Sequence, residues 1–276
     1  MGARSWGTQA LRAPYLVAAS TYGRGVSVGV VADAGTAVVE MTVHGPWSQH
    51  LDSQVTAGLR LCRAGPCASV IIDLHDLSDP YGLSYPFWSE AVREASVGPA
   101  PVWLALCVRG MTTLDGRLGA SDGQNSLVFA TMPEARTAIA GLLSRTRRVQ
   151  ARLAPEAASV RAARDLVARA CHAWHLPQVH DACLVVSELA ANAVEHAGTE
   201  FVVTASTDAV RLHVAVRDGA PQYPELGEQA LVDQPASINM RGRGLRLVHA
   251  VSTAWGAMPA RVGKVVWATV PPSPPL

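Results

Sequence analysis

Ser187-Glu188-Leu189-Ala190-Ala191-Asn192-Ala193-Val194-Glu195-His196-Ala197 is the stretch that decides how this chain is read. Glu188, Asn192 and His196 recur every four residues. Each such step drifts only about 40° around an α-helix, so the spacing predicts three side chains on one face. Val186, Ala190, Ala193 and Ala197 follow helical spacing on another face, roughly a third of a turn away. One helix is expected to pack a core and to present a carboxylate, an amide and an imidazole together. A carboxylate can accept a proton from an attacking hydroxyl, and an amide oxygen is a hard ligand suited to magnesium. A solvated polar face would carry the same residues, so the triplet alone leaves both readings open.

Two downstream elements bear on the choice. The alternating run from Val210 to Arg217 reads as a strand and ends at Asp218-Gly219. A carboxylate just past a strand end can accept from an exocyclic amine such as that of adenine, although an ordinary Asp-Gly turn reads the same way. Arg241-Gly242-Arg243-Gly244-Leu245-Arg246-Leu247-Val248 follows. Two glycines at a helix start let backbone N–H groups approach phosphates, and the helix N-terminus favours their charge. The Gly-Lys-Ser/Thr of a Walker loop is missing.

In this order the three elements resemble the N, G1 and G2 boxes of the GHKL (Bergerat-fold) ATPases, and within them the bacterial anti-sigma-factor serine kinases. The resemblance runs from about Pro155 to Pro271 and includes Leu184-to-Leu189, Trp255-Gly256 and Gly263-Lys264-Val265-Val266-Trp267. It implies ATP and Mg²⁺ as cofactors, with Glu188 as the general base that activates a protein serine. It implies Asn192 as the Mg²⁺ ligand and Asp218 as the adenine acceptor. Gly242 and Gly244 would cradle phosphates, and His196, Gly219, Arg243 and Leu245 complete the expected binding set. Two positions depart from the family pattern. Arg246 replaces a glycine and either narrows the phosphate loop or adds a cation to it. Val265 replaces a polar threonine, which removes an adenine-side or water-mediated contact. Between Ala220 and Met240, the prolines and the weak periodicity fall where the family carries its ATP lid.

Upstream, strands and helices alternate. Val26-to-Val31 and Thr36-to-Val43 read as strands around the turn Asp33-Ala34-Gly35. Leu51, Val55, Leu59 and Cys62 line one face of a helix over 49–62, and Ala68-to-Leu74 is an apolar run suited to a buried strand. A helix over 82–95, strands over 101–108 and 126–129, and a helix over 133–149 complete an α/β layer. This segment, about residues 26–142, resembles a STAS domain, the fold of anti-sigma-factor antagonists. The resemblance rests on element order, on Val70-Ile71-Ile72-Asp73-Leu74 and on Asp79-Pro80-Tyr81-Gly82-Leu83. The family's phosphorylated hydroxyl stands where this chain has Pro80, so the half is expected to dock rather than to be switched. Ser78 and Ser84 nearby read as loop and helix-cap residues.

The expected organisation is therefore α/β and α+β: a loose arm over 1–25, a STAS-like domain over 26–142, a linker over 143–154, a GHKL α/β-sandwich domain over 155–271 and a tail over 272–276. The basic stretch from Ser144 to Arg152 reads as an extension of the preceding helix. A net charge of +1 gives no bulk electrostatic pull towards nucleic acid or a membrane surface. Five scattered cysteines fit neither a disulfide framework nor a zinc site and suggest a reducing, cytoplasmic setting. His172, His175 and His180 read as exposed helix-end residues rather than metal ligands. Lys264 is the only lysine and reads as compositional bias. The expected function is an ATP-dependent serine/threonine kinase acting on a STAS-type antagonist and controlling sigma-factor availability, with a dimer implied by the resemblance. The alternative is a non-catalytic nucleotide-binding module that sequesters a sigma factor or STAS partner, with its own STAS half docking or autoinhibitory.

Overall fold

The computed structural model describes residues 14–23, 25–33, 37–97, 101–120, 127–143, 147–207, 211–224 and 243–272. In chain order, the N-terminal elements are β1 (Tyr15–Leu16), β2 (Ser20–Gly23), β3 (Val26–Asp33), β4 (Val38–Pro46), α1 (Gln49–Ala64), β5 (Ser69–Asp73) and β6 (Leu77–Ser78). Next come α2 (Tyr85–Ser96), β7 (Trp103–Cys107), α3 (Thr113–Gly119), β8 (Leu127–Phe129) and α4 (Met132–Leu143). The C-terminal elements are β9 (Arg147–Leu153), α5 (Ala157–Trp174), α6 (Val179–Asn192), a π turn (Ala193–Ala197), β10 (Phe201–Thr207), β11 (Leu212–Asp218), α7 (Arg243–Val251), β12 (Ala254–Pro259) and β13 (Lys264–Val270).

The N-terminal sheet runs β2-β3-β4-β5-β7-β8, with β6 added beside β4. Its β4, β5, β7 and β8 are parallel, as crossover helices require, while β2 and β3 join as antiparallel neighbours. Buried on both faces, β5 has alternating destinations: Val70 and Ile72 enter the core beneath α1 and α2, and Ile71 meets Ile139 of α4 on the other side. Helix α1 begins at Ser48, whose hydroxyl accepts from Leu51 N at 3.3 Å, and it buries Leu51, Val55, Leu59 and Cys62 as their spacing predicts. Ser84 is fully buried at the start of α2 and bonds Asp79, so it is packed rather than presented.

The C-terminal sheet runs β1-β12-β13-β11-β10-β9. Its strands alternate cleanly. Val214, Val216, Val266 and Ala268 face the core under α5, α6 and α7, whereas Ala215, Val265 and Trp267 face the N-terminal half. The two halves thus share a continuous core in which Met258, Val265 and Trp267 join β3 and α1, and Tyr15 stacks on Trp267 with ring centroids 6.0 Å apart. Glu40 of β4 ties the seam from the side, accepting from Arg136 and, across the halves, from Arg261 at 2.9 Å.

Three expectations are corrected here. The arm expected to be loose over 1–25 is structured where it is described: β1 pairs in parallel with β12, and β2 pairs with β3. Both strands cover sheet edges that would otherwise expose unpaired backbone. Gly256 makes the first pairing possible, because a Cβ there would collide with the Tyr15 carbonyl. The helix expected over 133–149 stops at Leu143, and the expected basic linker contains β9, antiparallel to β10. Val149, Ala151 and Leu153 alternate with Arg148, Gln150 and Arg152, a period of two that a helix cannot use. Arginines are also well placed on an edge strand. The turn at 34–36, Ser126, the tail beyond 272 and most of the expected lid (225–242) lie outside the described residues.

Candidate nucleotide site

Helix α6 carries Glu188 and Asn192, both half-buried, with Leu189 and Ala190 of the same turns fully in the core. His196 lies beyond the α-helical part of α6. The chain there widens into the π turn, closed by Gly198 N donating to Ala193 O at 3.1 Å. The His196 side chain is exposed, whereas those of Glu188 and Asn192 are half-buried. Glu188 and Asn192 keep the shared face.

Helix α7 crosses close to α6 at Gly244. A Cβ on Gly244 would collide with Glu188 Oε2, so the backbone of the glycine-rich segment lies directly against this carboxylate. Among the described residues Glu188 makes no ion pair or hydrogen bond. Asn192 Nδ2 is likewise buried without a hydrogen-bond partner among them. Orphaned buried polar atoms are rare and call for an explanation, of which a missing ligand is one. Gly242 and the side chain of Arg243 lie outside the described residues. Leu245 is a core residue, 6% exposed, and contributes only backbone to any ligand. Arg246 is exposed, on the outer side of α7, and does not fill the space between the helices.

Asp218 ends β11 and is buried beside Lys264, the first residue of β13. Lys264 Nζ donates to Asp218 Oδ1 at 2.9 Å and to the Ala220 carbonyl at 3.1 Å. Ala220 N donates to the same Oδ1 at 2.9 Å, and Gly219 N donates to Thr199 Oγ1 at 2.9 Å. Asp218 and Gly219 are thus held rigidly as a turn, with Asp218 Oδ2 carrying no bond among the described residues. Farther along, Tyr223 Oη donates to the Val17 carbonyl at 2.5 Å, tying the start of the expected lid to the N-terminal arm. Burial pushes this phenol up to about 12.

Val265 does not line this site. It points to the opposite face of the sheet, 2% exposed, against the N-terminal half. The threonine-to-valine departure therefore removes nothing from the adenine side; a sheet face covered by another domain accounts for an apolar side chain there. The sequence reading missed Lys264, Thr199 and Tyr223. Lys264 stands opposite Asp218 on a neighbouring strand and so shares the face of that carboxylate, a register that the sequence alone does not give. Among the described residues no cluster of His, Cys, Asp and Glu could hold a metal, and His172 and His180 are exposed as expected.

Residues 153–270 match the family model of the histidine kinase-like ATPase domain. This part of the chain is therefore a domain of that class, and Glu188, Asn192, Asp218 and Gly244 fall within it. No curated protein matches the chain. Among solved structures, an anti-sigma factor antagonist from Mycobacterium paratuberculosis is similar at 16% identity and a TM-score of 0.34, over 47% of this chain and 98% of its own.

Proposed function

We propose that the chain binds Mg²⁺ and ATP in the C-terminal half and transfers phosphate to a serine or threonine of a separate STAS-type antagonist, thereby controlling the availability of a sigma factor. The single observation that carries this reading is the abutment of Gly244 on Glu188: a carboxylate with no partner among the described residues lies against the backbone of a glycine-rich helix start. The residues fit the cofactor pair. Asn192 Nδ2 is a buried donor without a partner among the described residues, which suits an acceptor such as a phosphate oxygen, while the oxygen of the same amide is a hard ligand of the kind Mg²⁺ takes; Asp218 offers a buried acceptor at a strand end. Asn192 would hold Mg²⁺, Asp218 the adenine amine and the Gly244 backbone the phosphates. Bound Mg·ATP supplies the phosphoryl group. Glu188 takes the proton of the acceptor hydroxyl, a role that a half-buried carboxylate can fill. The helices bearing Glu188 lie on the sheet face turned away from the N-terminal half, which leaves Glu188 open to a separate protein.

The acceptor is placed in another chain because Pro80 occupies the expected hydroxyl position and Ser84 is buried. Phosphorylation adds roughly −1.5 to −2 charge, enough to release a docked partner. No described helix is long and apolar enough to cross a membrane. The test is Glu188→Gln in an assay with radiolabelled ATP and candidate STAS proteins. Transfer is expected to fall by at least about a hundredfold, in the range of a lost general base, while nucleotide binding persists. Partner regulation that survives the substitution would instead establish the non-catalytic sequestering module.

A further inference from the structure

We propose that Lys264 is the positioning residue that makes the site selective for adenine over guanine; this inference rests on the nucleotide-binding reading above. Lys264 is 6% exposed and Asp218 4% exposed, so both charges are removed from water and each depends on the other. The ammonium donates to Asp218 Oδ1 and to the Ala220 carbonyl, and Ala220 N returns a bond to the same Oδ1. Two donors therefore converge on one oxygen. They fix the carboxylate plane and leave the lone pairs of Oδ2 directed elsewhere. An ionised carboxylate is an acceptor only. At the six position adenine carries an amine, which donates, whereas guanine carries a carbonyl, which accepts. A carboxylate held in this way bonds the first and opposes the second.

Without the ammonium, Asp218 would be a buried carboxylate with no opposing charge. It would turn towards water and lose the fixed plane that presents Oδ2. A carboxylate free to turn no longer holds one acceptor oxygen against the base, so it discriminates less against the guanine carbonyl. Lys264 does not itself need to touch the base. Its effect passes through Asp218, and the signature is a change in selectivity rather than a uniform loss of binding.

The experiment is calorimetry of the full chain with ADP and with GDP, both with Mg²⁺, for wild type, Lys264→Met and Lys264→Arg. Wild type is expected to bind ADP and to reject GDP. In Lys264→Met the ADP-to-GDP affinity ratio is expected to fall by at least about tenfold, the effect of one lost charge-assisted hydrogen bond. Lys264→Arg keeps a cation and is expected to recover most of the ratio. As the only lysine, Lys264 also gives a single ammonium signal in a protein labelled with ¹⁵N-lysine. That signal is expected to be slow to exchange with water and to respond to ADP, and it decides the matter if Lys264→Met fails to fold. A wild type that binds ADP, with an unchanged ratio in Lys264→Met or a fast-exchanging signal indifferent to ADP, overturns this inference alone. A wild type that binds neither nucleotide overturns the nucleotide-binding reading and this inference with it.

Discussion

Replacing Trp267 by alanine tests the shared core of the two halves. Trp267 is fully buried, stacks on Tyr15 at 6.0 Å with an interplanar angle of 10°, and lies against Gly65 at the end of α1. Truncation of a buried tryptophan costs about 3–5 kcal/mol. The stacking contributes about 0.5–1.5 kcal/mol of this beyond buried area. Against it, Trp267 Nε1 is buried without a hydrogen-bond partner among the described residues. Removing an unsatisfied donor returns about 1–3 kcal/mol. The net loss expected is therefore about 2 kcal/mol, the difference between the two mid-range values. Urea unfolding followed by circular dichroism measures it, with Leu247→Ala on the exposed side of α7 as a control expected to change stability by less than about 0.5 kcal/mol. Tyr15→Ala combined with Trp267→Ala should show a coupling of about 0.5–1.5 kcal/mol. A Trp267→Ala variant as stable as wild type, or zero coupling with Tyr15, would show that the arm and the N-terminal half do not pack on this sheet face in solution.

Other outcomes follow from the same contacts. The hydrogen bond from Arg136, together with the charges of Arg136 and Arg261, holds the Glu40 carboxyl below its ordinary value of 4.5. A depressed folded-state value stabilises above the unfolded value and is lost as pH falls through the folded one. Glu40→Gln is therefore expected to cost ~1 kcal/mol at neutral pH, in view of the exposed arginines, and the gap from wild type should close below about pH 4.5; thermal melts across pH would show a constant gap if the seam were wrongly assigned. Gly244→Ala places a Cβ against Glu188 Oε2 and is expected to cost about 1–3 kcal/mol in stability or to displace the carboxylate; unchanged stability with unchanged phosphoryl transfer would contradict the close approach of α7. Burial pushes Cys67 and Cys107 up to about 12 and Cys171 to about 11, and raises Cys62 well above its usual value, whereas Cys183 is only partly buried. Alkylation of the native chain should mark Cys183 first; mass spectrometry finding Cys67 labelled equally fast would refute that burial.

The parts of this fold legible in the sequence are those where one physical signal dominates. Leu51, Val55, Leu59 and Cys62 could only be one helical face, and Val70-to-Leu74 only a buried strand in an α/β layer. Glu188 and Asn192 were legible because one turn of helix aligns them. The π turn was not, because nothing in Ala193-to-Ala197 announces the wider i→i+5 step. The β9 strand is hard to read because the arginines of 147–152 overlay a basic run on the alternation of Val149, Ala151 and Leu153. Pairing of Tyr15 with Gly256, the burial of Val265 and the bond from Tyr223 to Val17 depend on how distant segments meet. No local pattern encodes such meetings, and composition made Lys264 look like a bias when its place opposite Asp218 gives it a role.

Calorimetric titration of Mg·ATP into wild type and Asn192→Ala tests the nucleotide site most directly. The account predicts saturable binding to wild type, weakened at least about tenfold when the amide that would hold the metal is removed. A wild type that takes up no heat from Mg·ATP, or an Asn192→Ala variant that binds as tightly as wild type, would contradict it.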